Sequence, residues 1–344
     1  MTDQQWDYLL RILDGEVFDP LPVGFLVDGP WVSKQVEAPL MDYFGDGDLW
    51  LRANLEAQRQ FPEVLWLPGF WAEYGMISNP PSFGAKCIWP EDGFPTCEHI
   101  LRGYDDIADL EQPNVRTDGL LPFIIQRLER YQSDIEKAGY RYRFASSHGP
   151  LTIGSYLLGY TEFFIGMAEN PEALHQLLRS ATQFVIDWVK YQKEKFPDID
   201  GILILDDLIG FIGEKDFEEF VQPYMTEIFS SLDVSVRFLH NDAAGMITAA
   251  HLDKMGVNLF NFSFEHDVNE IRKLAGDKVT LMGNIPPRDV LGEGTCEDIR
   301  QSVTQLLESV EDKGRLIVSG GGFTPGAFSK EKIAAFREAV LESS

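Results

Sequence analysis

The second half of the chain alternates between short, continuous apolar runs and longer amphipathic segments. Apolar runs of five to seven residues are typical of strands that helices cover on both faces. In segment 295–314, Ile299, Val303 and Leu307 recur with the helical period, and Thr295 with Asp298 predicts a capping box. The alternation therefore predicts parallel strands joined by helical crossovers. The predicted strands are 201–207, 234–240, 257–262, 278–284 and 315–320, and the predicted helices are 216–232 (bent at Pro223), 243–256, 267–276, 295–314 and 329–343.

The first half of the chain is less regular. Segments 64–70 and 142–146 are predicted strands, 119–139 and 171–196 are predicted helices, and 71–117 is a predicted long loop. Seven candidate strands, with one more that the pattern does not reveal, would complete an α/β fold of the (β/α)8 TIM-barrel type. A doubly wound open sheet is disfavoured because no GxGxxG follows a first strand. The predicted organisation is an N-terminal helical extension (1–60) and a barrel catalytic domain (61–344).

Charge and composition exclude some classes of partner. The 344 residues include 55 acidic and 29 basic side chains, for a net charge of −26, which argues against nucleic acid and anionic membrane surfaces as partners. No apolar run approaches the ~20 residues that a membrane span needs. The three cysteines form no CxxC pair, and the N-terminus does not resemble a signal peptide, so a cytoplasmic location is expected.

Polar side chains stand at the ends of several predicted strands, where a barrel carries its active site. Asp206 and Asp207 end one strand, and His240 and Asp242 end the next. Helix capping is the alternative explanation for any single Asp or Asn. Two adjacent carboxylates are costly unless one caps a helix and the other faces the barrel mouth. We therefore predict these four residues to be catalytic. The predicted substrate-binding residues are Glu73, Tyr74, Met76, His148, Asn241, Asn284 and Gly321.

The order of these motifs resembles the uroporphyrinogen decarboxylase superfamily. The matching features are LDDL, a helix with an internal proline, the strand that ends in His240, the MGNIPP segment and the SGGGFTP segment. The resemblance covers about residues 60–340. It implies a distorted (β/α)8 barrel with its site at the mouth. The superfamily holds decarboxylases and cobalamin-linked methyltransferases.

The motifs favour the methyltransferase branch. The decarboxylases carry an Arg-Gln-Ala-Gly-Arg motif after the first strand, whereas WLPGFWAEYGM (66–76) has Glu73 and no arginine. They also carry a late histidine where this chain has Gly321. A strongly acidic chain is in addition poorly suited to a substrate with eight carboxylates.

The resemblance also implies a zinc site. The thiol-methylating branch binds zinc through His-x-Cys and a later cysteine, but here Asp242 and Gly321 occupy the cysteine positions. Other corrinoid methyltransferases of the superfamily use a histidine and carboxylates. Glu219, which lies 21 residues before His240, matches that pattern. With Asp206 as the upstream carboxylate, the implied ligands are His240, Glu219 and Asp206.

The expected reaction moves a methyl group from a small methylated compound to a corrinoid, and the expected methyl donor is a methoxylated aromatic. An aryl oxide is a poor leaving group, so the ether oxygen needs a Lewis acid or a proton donor. The corrinoid must come from a partner protein, since the chain has no Asp-x-His-x-x-Gly motif. Aromatic residues of the long loop are expected to hold the donor's ring: Trp71, Tyr74, Phe83 and Trp89, with Met76. Transfer from methylcorrinoid to an acceptor, a decarboxylase reaction and a purely ligand-binding barrel remain alternatives.

Overall fold

A computed structural model describes residues 1–90 and 93–343. Its parallel strands follow one another around a barrel, and every one of the seven predicted strands is confirmed. Strands β3 to β8 form one continuous six-stranded sheet in chain order, and β1 pairs with β2. The strands are β1 (Gly24–Leu26), β2 (Leu65–Leu67), β3 (Phe144–His148), β4 (Gly201–Leu205), β5 (Val236–Asn241), β6 (Leu259–Phe262), β7 (Thr280–Ile285) and β8 (Leu316–Gly320).

The eighth strand, β1, lies within segment 1–60, which the pattern assigned to a helical extension. Gly24 pairs with Leu65 of β2, and Val23 forms a bridge with Val318 of β8. Segment 1–60 thus contributes a barrel strand as well as helices. Among the described residues, no ladder joins β2 to β3, so the barrel is distorted at that seam. Aromatic side chains, including Phe70 and Trp188, are buried there.

The helices lie where the amphipathic segments predict them. The predicted helix over 216–232 divides at Val221, two residues before Pro223, because proline has no backbone N–H to donate to the preceding turn. The capping box of Thr295 and Asp298 is present. The helices are α1 (Asp3–Leu13), α2 (Gly29–Lys34), α3 (Leu40–Gly45), α4 (Gly47–Gln60), α5 (Leu121–Lys137), α6 (Pro150–Leu158), α7 (Tyr160–Glu169), α8 (Pro171–Lys195), α9 (Glu214–Phe220), α10 (Gln222–Ser230), α11 (Met246–Met255), α12 (Val268–Ala275), α13 (Cys296–Ser309) and α14 (Lys330–Ser343).

Two layers of apolar side chains stabilise the barrel. The interior layer includes Leu203, Phe238 and Met282, and it continues into Trp6 and Leu9 of α1, which belong to the same buried cluster. A larger layer fills the space between the strands and the surrounding helices. Because apolar side chains fill the interior, the polar residues at the carboxyl ends of the strands are left to form the mouth.

The long segment after β2 is not without structure. It contains 3-10 turns at Pro80–Phe83 and Tyr104–Asp109, and an antiparallel hairpin that pairs Cys87–Ile88 with Thr96–Cys97. No helix formed by residues 1–90 or 93–343 has a stretch long and apolar enough to cross a bilayer.

Candidate active site

Three predicted catalytic residues converge at the ends of β4 and β5. His240 is fully buried, and its Nε2 lies 3.6 Å from Asp207 Oδ1 and 3.8 Å from Asp242 Oδ2. One ligand atom from each of the three residues lies within 4.8 Å of the others. Burial raises the pKa of Asp207, and the neighbouring Asp242 carboxylate adds to that effect. The cluster therefore concentrates negative charge around one imidazole nitrogen.

The hydrogen bonds of Asn261 determine the tautomer of His240. The Asn261 amide nitrogen donates to Met282 O (2.8 Å) and Gly320 O (3.0 Å), so its Oδ1 is the atom that faces the imidazole. His240 Nδ1 lies 2.8 Å from that oxygen and must donate to it. In neutral His240, Nε2 then carries a lone pair, and it has no hydrogen-bond partner among the described residues. In this tautomer the lone pair faces two carboxylate groups, an arrangement of nitrogen and oxygen donors that can bind a metal ion.

These distances fit a zinc ion. Zinc bonds to nitrogen and oxygen of about 2.0–2.2 Å separate two ligands of a tetrahedral site by roughly 3.3–3.6 Å. The observed 3.6 and 3.8 Å are close to that range and too long for direct hydrogen bonds. The Nδ1 contact to Asn261 is the outer-shell hydrogen bond that usually orients a metal-binding histidine. The residues present therefore suit zinc held by nitrogen and oxygen.

Asp206 does not take part in this cluster. Its carboxylate accepts hydrogen bonds from Leu151 N (3.0 Å), Thr152 N (3.1 Å) and Thr152 Oγ1 (2.8 Å) at the start of α6. The close approach requires Gly149, because a Cβ there would overlap the carboxylate. Burial raises the pKa of Asp206 to about 7. Both oxygens of Asp206 are thus occupied at the first turn of a helix, where they satisfy its free amides.

Glu219 is also placed away from His240. It lies on α9, and its carboxylate pairs with His175 Nε2 of α8 at 3.4 Å. A second cluster, formed by Glu214, Glu218 and His251, is close to it in sequence. In that cluster both imidazole nitrogens of His251 already have partners, whereas His240 Nε2 has none among the described residues. The described residues that the structure brings together around an unpartnered imidazole nitrogen are therefore Asp207, His240 and Asp242.

Asn241 is a structural residue in this arrangement. Its Oδ1 accepts from Ala243 N (3.0 Å), and its amide nitrogen donates to Thr248 Oγ1 of α11 (2.9 Å). The stretch HNDAAG thus contains both a turn-forming Asn and two residues of the cluster. Asn284 likewise donates to backbone carbonyls, at Ser263 and His266. Gly321 lies against the backbone of Phe264, where any Cβ would come within 2.5 Å of the Phe264 amide nitrogen.

A cavity of about 220 Å³ opens beside Asp207. Polar groups of Asp28, Glu73 and His148 face it, and the remaining walls are largely apolar. Among the described residues that line it there is no Lys or Arg. Burial lowers the pKa of His148 to about 4, so this imidazole is neutral. The apolar part of the lining consists of Trp71, Met76, Phe94, Leu205 and Phe323.

Only part of the predicted aromatic clamp lines this cavity. Trp71 does so and stacks against Phe323, with ring centroids 6.5 Å apart. Tyr74 and Trp89 pack instead against Phe44, away from the lining. Phe83 packs against Phe184.

Asp28 is the functional candidate that the sequence pattern missed. It follows β1, faces the cavity, and its Oδ1 is buried without a partner among the described residues. Glu73, which also lines the cavity, accepts hydrogen bonds from Gly29 N (2.9 Å) and Gly75 N. Burial raises the pKa of Glu73 to about 7, and burial together with the Glu73 charge raises that of Asp28. The two carboxyl groups can therefore hold a proton near neutral pH. Asp28 could be recognised only as a polar residue at the end of β1, and the sequence pattern does not reveal that strand.

Comparison with known proteins identifies the family. The model of the family described as "Uroporphyrinogen decarboxylase (URO-D)" matches residues 4–343. The chain belongs to the uroporphyrinogen decarboxylase family. The resemblance deduced from the motifs, and the distorted (β/α)8 barrel that it implied, are thus confirmed.

Similarity to individual members of the uroporphyrinogen decarboxylase family is distant. The chain is 23% identical to the uroporphyrinogen decarboxylase of Pseudoalteromonas translucida, over all of this chain and 99% of the relative. It is 22% identical to that of Ruthia magnifica, over 73% of each chain.

Two solved structures share the fold. A methyltransferase from Methanosarcina mazei has a TM-score of 0.80 at 19% identity and 97% coverage of each chain. A B12-independent methionine synthase from a Shewanella species has a TM-score of 0.54 at 12% identity, over 94% of this chain and 98% of that one. At such identities the likeness concerns the fold.

Proposed function

We propose that this protein is a methyltransferase that moves a methyl group from a small methoxylated aromatic compound to the corrinoid of a partner protein. The observation that carries the proposal is the unpartnered, buried Nε2 of His240 beside Asp207 and Asp242, next to a ring-sized cavity that Asp207 lines. The likeness to a methyltransferase from Methanosarcina mazei supports it.

The cavity suits a single aromatic ring. A cavity of about 150 Å³ suffices for benzene, so 220 Å³ leaves room for methoxy and hydroxyl substituents. Trp71 and Phe323 offer ring faces, and Met76 offers a polarizable side chain. A porphyrinogen with eight carboxylates fits neither this volume nor a lining that has acidic groups and, among its described residues, no cation. The geometry therefore favours methyl transfer over porphyrinogen decarboxylation.

The ligands that we propose for zinc are Asp207, His240 and Asp242, in place of the set with Glu219 and Asp206. A bound zinc would supply Lewis acidity toward the ether oxygen of the donor. His240 offers the Nε2 lone pair because Asn261 holds its proton on Nδ1. Asp207 lies at the boundary between this cluster and the cavity, and so places the donor beside the cluster.

Asp28 and Glu73 would orient the donor. Asp28 can bond to a hydroxyl substituent of the ring, since its Oδ1 has no partner among the described residues. That contact would orient the methyl group toward the open mouth, the side from which the corrinoid of a partner protein would have access to it. Positioning of reacting groups can lower an activation free energy by roughly 7–11 kcal/mol. Orientation of the donor by Asp28 would supply several kcal/mol of that amount.

The proposal is tested with free cob(I)alamin as the methyl acceptor. The zinc-loaded protein is mixed anaerobically with cob(I)alamin and a panel of methoxylated phenols and benzoates. We expect spectroscopic conversion to methylcobalamin and release of the phenol, and loss of both in His240→Ala. Methylation of an added thiol by methylcobalamin, without donor demethylation, would instead assign the reverse direction.

Two outcomes would contradict the proposal. Carbon dioxide release from uroporphyrinogen by the wild-type protein would assign decarboxylation. Donor demethylation with no corrinoid added would remove the need for a corrinoid partner. Asp206→Asn is the matched control, because it alters the neighbouring carboxylate but spares the proposed ligands.

A further inference from the structure

The hairpin after β2 pairs two of the three cysteines directly. Cys87 and Cys97 are register partners across two antiparallel strands. Glu98 N donates to Lys86 O at 3.0 Å, so residues 86 and 98 form a hydrogen-bonded pair. Because hydrogen-bonded and non-hydrogen-bonded pairs alternate, Cys87 and Cys97 form a non-hydrogen-bonded pair.

This position is compatible with a disulfide. Cα atoms of a non-hydrogen-bonded pair are about 4.5 Å apart, with both side chains on one face of the ribbon. Disulfides span Cα separations of about 4.4–6.8 Å, so this register places the two cysteines within the range of a disulfide. Both thiols are free, and Cys97 is buried while Cys87 is partly exposed. The Cys87 thiol adds to the burial that raises the pKa of Cys97, as expected for adjacent groups.

The hairpin also contacts the cavity. Phe94, in the connection between its strands, lines the cavity and lies against Gly75 so closely that a Cβ there would overlap the ring. Trp89 packs against Tyr74 and Phe44. Each strand of the hairpin has only two residues, and such a ribbon is marginally stable on its own. A cross-link would therefore change how readily this wall of the cavity opens.

We infer that Cys87 and Cys97 form a reversible disulfide that fastens the Phe94 hairpin over the cavity. The oxidant is a low-molecular-weight disulfide such as glutathione disulfide. The more exposed Cys87 thiolate attacks it and expels one glutathione thiolate. The Cys97 thiolate then attacks the mixed disulfide and expels the second. Two electrons pass from the protein thiols to glutathione, and the two thiol protons go to solvent.

Incubation of the full chain with glutathione disulfide, followed by thiol labelling and peptide mapping, tests this inference. We expect a linked peptide joining residues 87 and 97, with Cys296 as the labelled thiol, and full reversal by dithiothreitol. Cys296→Ser should leave the link intact, whereas Cys87→Ser and Cys97→Ser should give glutathione adducts. Wild-type protein that yields only such adducts, or a link that involves Cys296, would overturn the inference.

Hydrogen exchange provides a second readout that does not depend on the proposed methyl transfer. A cross-link restricts hairpin opening. The Glu98 amide should therefore exchange at least about tenfold more slowly in the oxidised protein than in the reduced protein. Amides of α13, which contains Cys296, serve as the reference and should be unchanged. Equal Glu98 exchange in the oxidised and reduced forms would show that the pair does not control the hairpin.

Discussion

Removal of the His240 imidazole tests the proposed metal site through stability. We expect His240→Ala to lose the zinc-dependent part of the free energy of unfolding. Zinc at 1,000 times its dissociation constant would stabilise the wild type by about 4 kcal/mol, because it binds the folded state only. The variant keeps two carboxylates without the nitrogen ligand, so this increment should fall close to zero.

The metal-free variant should also be less stable than the metal-free wild type, for a different reason. Asn261 Oδ1 loses the partner that lies 2.8 Å away, in a fully buried position. An unsatisfied buried acceptor costs about 1–3 kcal/mol. The imidazole also packs edge-on against Phe323, with ring centroids 4.8 Å apart. The loss of unfolding free energy in the absence of metal therefore measures lost packing and hydrogen bonding. Only the zinc-dependent increment in that free energy measures zinc binding by His240.

The assay is equilibrium unfolding in denaturant, with excess zinc or with a chelator, for the wild type and two variants. His251→Ala is the matched control, since His251 is equally buried and belongs to the second carboxylate cluster. We expect it to cost stability and to keep the zinc increment. An undiminished zinc increment in His240→Ala would refute the assignment. Loss of the increment in His251→Ala alone would move the zinc to the outer cluster.

Three further substitutions separate the roles of the carboxylates. Asp206→Asn should keep full zinc content by metal analysis but lose about 1–3 kcal/mol of unfolding free energy in denaturant. The side-chain NH2 of Asn cannot accept the hydrogen bond that Leu151 N donates to Asp206. Loss of zinc in this variant would return Asp206 to the ligand set. Glu219→Gln should leave zinc content unchanged, since Glu219 pairs with His175, and a metal-free variant would contradict the proposed site. Because burial raises the pKa of Glu73 from 4.5 to about 7, the folded state binds more protons than the unfolded state between these values. The wild type should therefore lose stability relative to Glu73→Gln as pH rises through that interval, by up to about 1.4 kcal/mol per pH unit, and parallel pH profiles of the two proteins would argue against it.

The predictability of each strand followed from its length and its apolar content. The run GILIL (201–205) has no polar interruption, so it identifies a buried strand directly. Strand β1 has three residues, and Pro20 and Pro22 precede it closely. A strand of that length carries no periodicity, and it is recognisable only from its pairing with β2 and from the bridge between the preceding Val23 and Val318. Asp28 was missed for the same physical reason.

Sequence separation did not determine which carboxylates meet His240. Glu219 has the spacing that the family pattern favours, yet it lies on a helix, and its carboxylate meets His175 of another helix. Asp242, two residues from His240 in the chain, reaches the imidazole because the backbone turns sharply after Asn241. Such a turn depends on the side-chain hydrogen bonds of Asn241, which spacing alone does not report.

Asp206 and Asp207 show how adjacent, chemically identical residues acquire different roles. Successive side chains at a strand end point in opposite directions, so one of the two must face a helix and the other the mouth. The sequence predicted this division but not which of the two residues takes which role. The free amides of α6 lie beside the end of β4, and they bind the Asp206 carboxylate. Asp207 is then directed toward His240, where the proposed zinc would bind its carboxylate together with that of Asp242.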